Sequence, residues 1–167
     1  TFYSVKWKGF SFQETLPDKN LEPNDKVLIE SILRFKQRIV REVMIPRMDV
    51  FALSATTTIQ EAAKILQEEN YSRIPVYEGS LDNVTGVLMQ KELFNSYIKA
   101  VEKSNFESLN QPIETLVSKT LYTPETRKIS HLLQEFLQKQ QHLALVVDEF
   151  GAIEGVITIE DILEEIV

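Results

Sequence analysis

The sequence predicts an α/β fold made of two pseudo-symmetric halves, each a small three-stranded sheet with two helices. The order helix, strand, turn, strand, helix occurs twice, with the copies about seventy residues apart. The segment 86–88 (GVL) matches 155–157 (GVI), and a short extended segment precedes each copy. Because such a half buries little apolar surface alone, we expect the halves to pack together as one pair with a shared core.

The first half is assigned to residues 43–104. Its first helix is predicted from apolar residues at i, i+3, i+4 and i+7, which are Ile59, Ala62, Ala63 and Leu66. Thr58 and Glu61 have the spacing of a capping box. Two strands at 74–77 and 84–89 enclose the turn 78–83, and a helix follows at about 91–101.

The second half, residues 105–167, repeats this order. A helical stripe contains Ile129, Leu132, Leu133, Phe136 and Leu137. Strands at 143–147 and 152–157 enclose the turn 148–151, and a last helix is predicted over 159–166. The extended segments before the copies are 50–53 and 121–122, and the polar segment 102–111 is expected to be an exposed linker.

The beginning of the chain differs from both halves. Residues 1–20 are rich in aromatic residues, namely Phe2, Tyr3, Trp7, Phe10 and Phe12. They are predicted to be a strand or loop docked on the core, or else a surface that meets another part of a parent protein. Residues 21–42 form a linker helix that starts near Pro23, with an apolar side made of Val27, Leu28, Ile32 and Phe35.

Composition excludes several functions. The chain has no cysteine, so disulfides and thiolate catalysis are excluded. Its formal charge of -7, without a basic patch, disfavours binding to nucleic acid. The longest apolar runs are far shorter than the ~20 residues of a membrane span. The chain starts at Thr1 and stops within a helical pattern at Val167, so we expect a fragment of a larger protein.

An enzymatic function is not expected. His131 lies in a helical stripe and His142 at a strand start, and neither has a nucleophile or an acid beside it in a motif. The five glycines are scattered, so no glycine-rich phosphate loop is present.

Thr158 and Asp161 lie three residues apart where the last strand becomes the last helix. The threonine is suited to cap the helix, and an acid in the first turn is favoured by the helix dipole. The same helix end has free N–H groups that suit a phosphate, and its carboxylate can accept ribose hydroxyls. The pair is therefore either a helix cap alone or part of a ligand site.

Three motifs resemble one family. The repeat resembles a tandem pair of cystathionine-β-synthase (CBS) domains. The segments REVMIPRMDV (41–50), YSRIPVYE (71–78) and VVDEFGAIEGVITIED (146–161) are similar to the CBS pairs of the CorC/HlyC family and the related CNNM proteins. Together they cover about residues 21–167.

The resemblance implies a setting. Such proteins are similar to magnesium and cobalt transporters or efflux factors, with a membrane domain and a cytoplasmic CBS pair. The chain would then be a regulatory piece on the cytoplasmic side of the membrane, with the parent's membrane domain as a partner. The resemblance also implies a homodimer through the helices and binding of an adenine nucleotide (ATP or AMP) together with Mg²⁺.

The resemblance also implies site residues. Asp161 matches the acid that holds the ribose, and Thr158 the polar group beside it. Ile45 is expected near the adenine, with Tyr71, Arg73 and Ile74 as further walls. Arg73 would hold phosphate, or else form a surface ion pair; Tyr71 would stack on a base, or else be a half-buried aromatic. Arg127 and Lys128 are further cationic candidates.

The first half departs from this pattern. Met89 stands where Thr158 stands, and Glu92 where Asp161 stands. Since Met has no hydroxyl and Glu is longer, only the Asp161 cleft is expected to bind nucleotide. Glu164 and Glu165 are predicted to form a solvated face, and Mg²⁺ travelling with the nucleotide would offset the local acidity.

Two hypotheses follow. The first is a nucleotide sensor that passes a change of shape through the helix near residues 28–38 to the membrane domain. The second is a dimerisation module with an empty cleft and only a structural role.

Overall fold

The computed structural model describes residues 22–167. Five α-helices lie in this range, with short 3-10 turns between some of the elements: α1 (Pro23–Gln37), α2 (Ile59–Glu68), α3 (Gln90–Glu102), α4 (Ile129–Lys139) and α5 (Ile159–Glu164). The strands are β1 (Ile45–Pro46), β2 (Leu53–Ser54), β3 (Arg73–Tyr77), β4 (Val84–Met89), β5 (Leu121–Pro124), β6 (Leu143–Val147) and β7 (Ile153–Thr158). The predicted order of elements is confirmed in both halves, and α5 ends two residues earlier than expected.

Each half forms one sheet. In the first half the strand order is β2-β3-β4, with β2 parallel and β4 antiparallel to β3. In the second half the order is β1-β7-β6-β5, so this sheet has four strands and not three. The additional strand β1 lies at the beginning of the first half, but it pairs antiparallel with β7 of the second half.

Two equivalent glycines explain how outside segments reach the sheets. A Cβ on Gly155 would lie 2.2 Å from the carbonyl oxygen of Ile45, and a Cβ on Gly86 would lie 2.5 Å from that of Ser118. Only glycine permits such a close approach of a second backbone to a strand. In both repeats, therefore, the matching glycine is the place where another segment of the chain packs against the sheet.

The connecting segments pack on the opposite halves. Leu109 and Ile113, which lie at the beginning of the second half, belong to the core of the first half. Phe35 and Val40, which precede the first half, belong to the core of the second half. The segment 102–111, predicted to be an exposed linker, is therefore anchored by Leu109, which is only 5% exposed.

A third apolar cluster joins the sheets. It contains Leu145, Ile153 and Val156 of the second half, with Ile45 and Val84 packed against them. This cluster is the shared core that the repeat predicted.

The helix α1 differs from its prediction. Of its expected apolar side only Phe35 is buried, while Val27 and Leu28 are 61% and 52% exposed. At its end, Arg38 forms an ion pair with Glu165 at 3.1 Å. Glu165 is therefore not part of a merely solvated face, because it helps to fix α1 on the second half. The aromatic residues 1–20 lie outside the described residues.

None of the helices within 22–167 combines the length and the apolar character that crossing a bilayer requires.

Candidate functional site

Thr158 and Asp161 form a complete capping box at the junction of β7 and α5. The Thr158 hydroxyl accepts a hydrogen bond from the Asp161 N–H at 3.2 Å. Asp161 Oδ2 accepts two hydrogen bonds from Thr158, from the backbone N–H at 2.8 Å and from the hydroxyl at 2.7 Å. The helix cap predicted from the spacing is therefore present, and it fixes the orientation of the carboxylate.

The other carboxylate oxygen of Asp161 is available. No donor among residues 22–167 hydrogen-bonds to Oδ1, and both residues are half-buried. An oriented, partly desolvated carboxylate oxygen is a suitable acceptor for a hydroxyl of a ligand. The cap and the ligand site are therefore compatible, because they use different oxygens of one side chain.

The start of α5 offers less to a phosphate than the sequence suggested. The Ile159 N–H donates to the carbonyl oxygen of His142 at 2.9 Å, and the Asp161 N–H donates to Thr158. Of the first three N–H groups only that of Glu160 has no partner within the described residues. The expectation of several free N–H groups is therefore wrong, and a phosphate here would depend on side-chain cations.

The equivalent place in the first half lacks this arrangement. Met89 occupies the cap position of α3 and makes no side-chain hydrogen bond there. Glu92 is exposed to solvent. The first half therefore has no fixed carboxylate at its strand-to-helix junction.

Arg73 lies beside the start of α5. Its Nη1 is 3.8 Å from Oε1 of Glu160, and its side chain is 24% exposed while that of Glu160 is 61% exposed. This is the surface ion pair that was considered for Arg73, in a long and weak geometry. It also brings the guanidinium next to the residue that precedes Asp161.

The remaining predicted contacts have different surroundings. Tyr71 stacks on Phe51, with ring centroids 4.8 Å apart and an angle of 10° between the ring planes, so one face of its ring is already covered. The residue is 43% exposed. Ile45 is half-buried and pairs with Val156 on the strand that leads to Thr158. Ile74 is 0% exposed and belongs to the core of the first half. Its role as a ligand contact stays a prediction.

Of the two further cationic candidates, Arg127 is engaged elsewhere and Lys128 is exposed. Arg127 forms an ion pair with Glu135 on α4. Hydrogen bonds from Lys139 and Arg127 lower the pKa of Glu135. Lys128 is exposed at the cap position of α4, and its backbone forms an isolated bridge with Ile39.

The sequence reasoning missed a link between the halves. Arg47, in the first motif, donates to both carboxylate oxygens of Asp82 and also to the carbonyl oxygen of Ile153 at 3.0 Å. The hydrogen bonds from Arg47 to Asp82 lower the pKa of Asp82. Arg47 and Asp82 are thirty-five positions apart in the chain. A single sequence has no local pattern that indicates an ion pair between residues so far apart.

A cavity of about 180 Å³ lies between the halves, and Arg73 is the only predicted nucleotide contact in its lining. It adjoins Met89 rather than Thr158, so it belongs to the equivalent cleft of the first half. Within 22–167, no three or more histidine, aspartate or glutamate side chains cluster as a metal site would require.

Comparison with known proteins identifies the family of this chain. Residues 40–99 and 113–167 match the CBS domain family. The magnesium and cobalt efflux protein CorC of Vibrio cholerae is 33% identical over 147 residues, which are 88% of this chain and 48% of that protein. The chain spans 35% to 50% of the length of the first curated relatives that it matches.

Two solved structures have the same fold. The CBS domain of a bacterial CNNM/CorC family Mg²⁺ transporter in complex with ATP matches with a TM-score of 0.78 and 33% identity, over 86% of this chain and 97% of that one. A CBS-domain pair of Klebsiella pneumoniae with bound AMP matches with a TM-score of 0.64 and 30% identity, over 78% and 98%. The chain therefore belongs to the CBS domain family, as a CBS pair of the CNNM/CorC group.

Proposed function

We propose that this CBS pair is the regulatory module of a CorC/CNNM-like membrane protein for magnesium or cobalt transport or efflux. It binds an adenine nucleotide, ATP or AMP, in the cleft at Asp161. The observation that carries the proposal is the available Oδ1 of Asp161 on a carboxylate that Thr158 holds in place. The relatives solved with ATP and with AMP support the class of ligand.

Five of the six predicted residues have roles that their surroundings permit, and the buried Ile74 is the exception. Asp161 accepts a ribose hydroxyl through Oδ1, and Thr158 fixes the carboxylate. Ile45 and the exposed face of Tyr71 provide apolar contacts for a base. Arg73 turns from Glu160 toward the phosphates, because its present ion pair is long and a phosphate offers bidentate hydrogen bonds.

Magnesium enters with the nucleotide. The start of α5 carries Glu160 and Asp161 in its first turn, and the whole chain has a formal charge of -7. Four negative charges of a free triphosphate would be repelled there. A bound Mg²⁺ supplies positive charge to the phosphates, so ATP binds more tightly with Mg²⁺ than without it.

A homodimer carries the signal. Exposed apolar residues lie on the helices of both halves, including Ile98 and Val101 on α3 and Leu137 on α4. The nucleotide binds one arrangement of the dimer better than another, and the difference passes through α1 to a membrane domain. A ligand shifts such an equilibrium only by its difference in affinity for the two states. In this proposal the chain lies on the cytoplasmic side of the membrane and has no catalytic role.

The alternative is a dimerisation module whose cleft stays empty. The complete capping box favours it, because Thr158 and Asp161 already have a structural role. Both functions share the homodimer, so the ligand alone distinguishes them.

Calorimetry tests the proposal. The chain is titrated with ATP, with and without Mg²⁺, and with AMP. We expect a dissociation constant between about micromolar and millimolar, which is roughly -8 to -4 kcal/mol. Asp161→Ala removes the binding, whereas Glu92→Ala, at the equivalent place of the first half, leaves it unchanged. Equal losses in both variants would contradict the assignment of binding to the Asp161 cleft alone. No binding by the unchanged chain would support the structural role instead.

A further inference from the structure

One side of α1 is apolar along the helix but is buried only at its end. Leu28, Ile32 and Phe35 follow each other at spacings of four and three residues, so their side chains form one stripe. Phe35 packs in the core of the second half, whereas Leu28 and Ile32 are 52% and 39% exposed, and Val27 beside them is 61% exposed. Within residues 22–167, the first part of this α1 stripe is therefore left uncovered.

The helix α1 buries less than the other long helices do. A short helix is marginal in water by itself and gains most of its stability from packing of its apolar side. The helix α2 buries four of its ten residues and α4 three of its eleven, but α1 buries only one of its fifteen. A cover for the α1 stripe would therefore stabilise the helix.

The chain supplies a candidate cover just before α1. Tyr3, Val5 and Trp7 alternate with polar residues from position 3 to position 8, and such alternation predicts an extended segment with one apolar side. The polar residues are Ser4, Lys6 and Lys8. The apolar side of this segment matches the uncovered part of the α1 stripe in character.

The segment 1–12 is long enough to fold back on α1. Residues 13–21 separate it from the helix and contain Pro17, Asp18 and Asn20, which favour turns. The helix has fifteen residues and is about 22 Å long, and a segment of the length of 1–12 spans up to about 40 Å when extended. If it runs antiparallel to the helix, Trp7 lies about 16 Å from the turn, close to Ile32.

The two segments have opposite charges. Residues 1–12 contain two lysines and no acid. Residues 22–30 contain three acidic side chains and one lysine, all of them exposed, namely Glu22, Asp25, Glu30 and Lys26. Exposed pairs add little affinity, but complementary charges favour one partner and one orientation over others.

We propose that residues 1–12 dock antiparallel along α1 and cover Leu28, Ile32 and Val27 with the apolar side that contains Trp7. Because the segment is tethered to the helix, its effective concentration there is in the millimolar range, so a weak contact is sufficient. The docked segment holds α1 as an extension of the second half, to which the helix is joined by Phe35. This inference does not rest on nucleotide binding at the other end of the second half.

Tryptophan fluorescence tests the proposal, because Trp7 is the only tryptophan of the chain. The emission of the full chain is compared with that of the same chain unfolded in urea. We expect a blue-shifted emission that acrylamide quenches poorly, because the indole is packed on apolar side chains and shielded from water. An emission equal to that of the unfolded chain would overturn the proposal.

Substitutions on α1 decide where Trp7 packs. Leu28→Glu with Ile32→Glu should shift the emission toward the unfolded value and raise quenching by acrylamide at least twofold, because the docked segment would desolvate two charges. Met48→Glu with Phe150→Glu adds the same charge outside α1, at positions that are 96% and 87% exposed, and should leave the emission unchanged. All four positions are exposed, so the fold is retained, and melting curves check this. A blue-shifted emission that the α1 substitutions do not change would overturn the proposal.

Two further measurements distinguish other partners for the same segment. Dilution of the chain to nanomolar concentration should leave the emission unchanged, since a tethered contact does not depend on concentration. A red shift on dilution would place Trp7 on a second copy of the chain and would contradict the proposal. Vesicles of phosphatidylcholine and phosphatidylserine should also have no effect, and a blue shift that arises only with them would assign the segment to a lipid surface instead.

Discussion

Arg47 and Asp82 form a bidentate ion pair that helps to join the two halves. Arg47 Nη2 donates to Asp82 Oδ2 at 3.0 Å, and Nη1 donates to Oδ1 at 2.5 Å. The same guanidinium reaches the carbonyl oxygen of Ile153. One side chain therefore connects the turn of the first half to a strand of the second. The planar fork of arginine permits this double contact, which lysine could not reproduce.

Replacing Asp82 should weaken the fold in a pH-dependent way. Because the pKa of Asp82 is lowered in the folded state, its contribution is present above the unfolded value of about 3.9 and is lost as pH falls through the folded value. Asp82→Asn therefore lowers the urea midpoint at pH 7, and the difference from the unchanged chain shrinks below about pH 4. Glu78→Gln, in the same turn, is the control. A difference that stays constant with pH would refute the ion-pair explanation.

Gly155 should not tolerate a side chain. An added Cβ would lie 2.2 Å from the Ile45 carbonyl oxygen, so β1 must move away from β7. We expect Gly155→Ala to lower the free energy of unfolding by about 1–3 kcal/mol. Gly79→Ala serves as the control, since nothing lies within 4 Å there and only its φ of 75° opposes alanine. Denaturant unfolding of both variants measures this, and a smaller loss for Gly155→Ala than for Gly79→Ala would contradict the role of close packing.

The features that the sequence predicts correctly are those that depend on residues close together along the chain. The helices and the longer strands follow local periods, and the capping boxes at Thr58 and Thr158 follow a spacing of three, so both were predicted correctly. The strand β1 has only two residues and exists because Gly155 admits it. The match of Gly155 with Gly86 was visible, but a single sequence does not show which segment approaches a glycine.

The site was predicted in part for the same reason. The pair Thr158–Asp161 is local and was predicted from its spacing. The partners of the N–H groups of α5 were not, because one of them is the distant carbonyl of His142. The complete burial of Ile74, which is 0% exposed, and the stacking of Tyr71 on Phe51 also depend on tertiary packing.

Thr158 should contribute to both stability and nucleotide binding. Thr158→Val removes the cap and one donor to Asp161, so we expect a loss of about 1 kcal/mol of stability and weaker ATP binding. Thr58→Val is the control, because Thr58 accepts from the Glu61 N–H and donates its own N–H to the Glu61 carboxylate, which are two of the three bonds at Thr158, but it lies away from the cleft. Both variants should lose similar stability in urea. Only Thr158→Val should weaken ATP binding in calorimetry, and an equal affinity in both would mean that the cap has no part in the site.

The helices should form the dimer contact. Ile98 and Leu137 are 53% and 65% exposed on helices of different halves. Ile98→Glu with Leu137→Glu is expected to shift the chain from dimer to monomer in sedimentation, because charges in an apolar contact are desolvated without partners. Phe150→Glu, at an 87% exposed position in a turn, should leave the dimer intact. Monomers of the unchanged chain at high concentration would exclude this contact.

Glu160 should oppose nucleotide binding. It lies 3.8 Å from Arg73 and adds a negative charge next to Asp161, so it both occupies the phosphate partner and repels the phosphates. We expect Glu160→Gln to strengthen ATP binding by up to about fivefold, since exposed ion pairs contribute at most ~1 kcal/mol. Glu164→Gln removes an equal charge from the exposed part of the same helix and should have a smaller effect.

The gain from Glu160→Gln should be larger without Mg²⁺, because the metal already neutralises part of the triphosphate. Calorimetry of the two variants with and without Mg²⁺ measures this difference. Equal gains from Glu160→Gln and Glu164→Gln would indicate a general effect of net charge and would remove Arg73 as the phosphate partner.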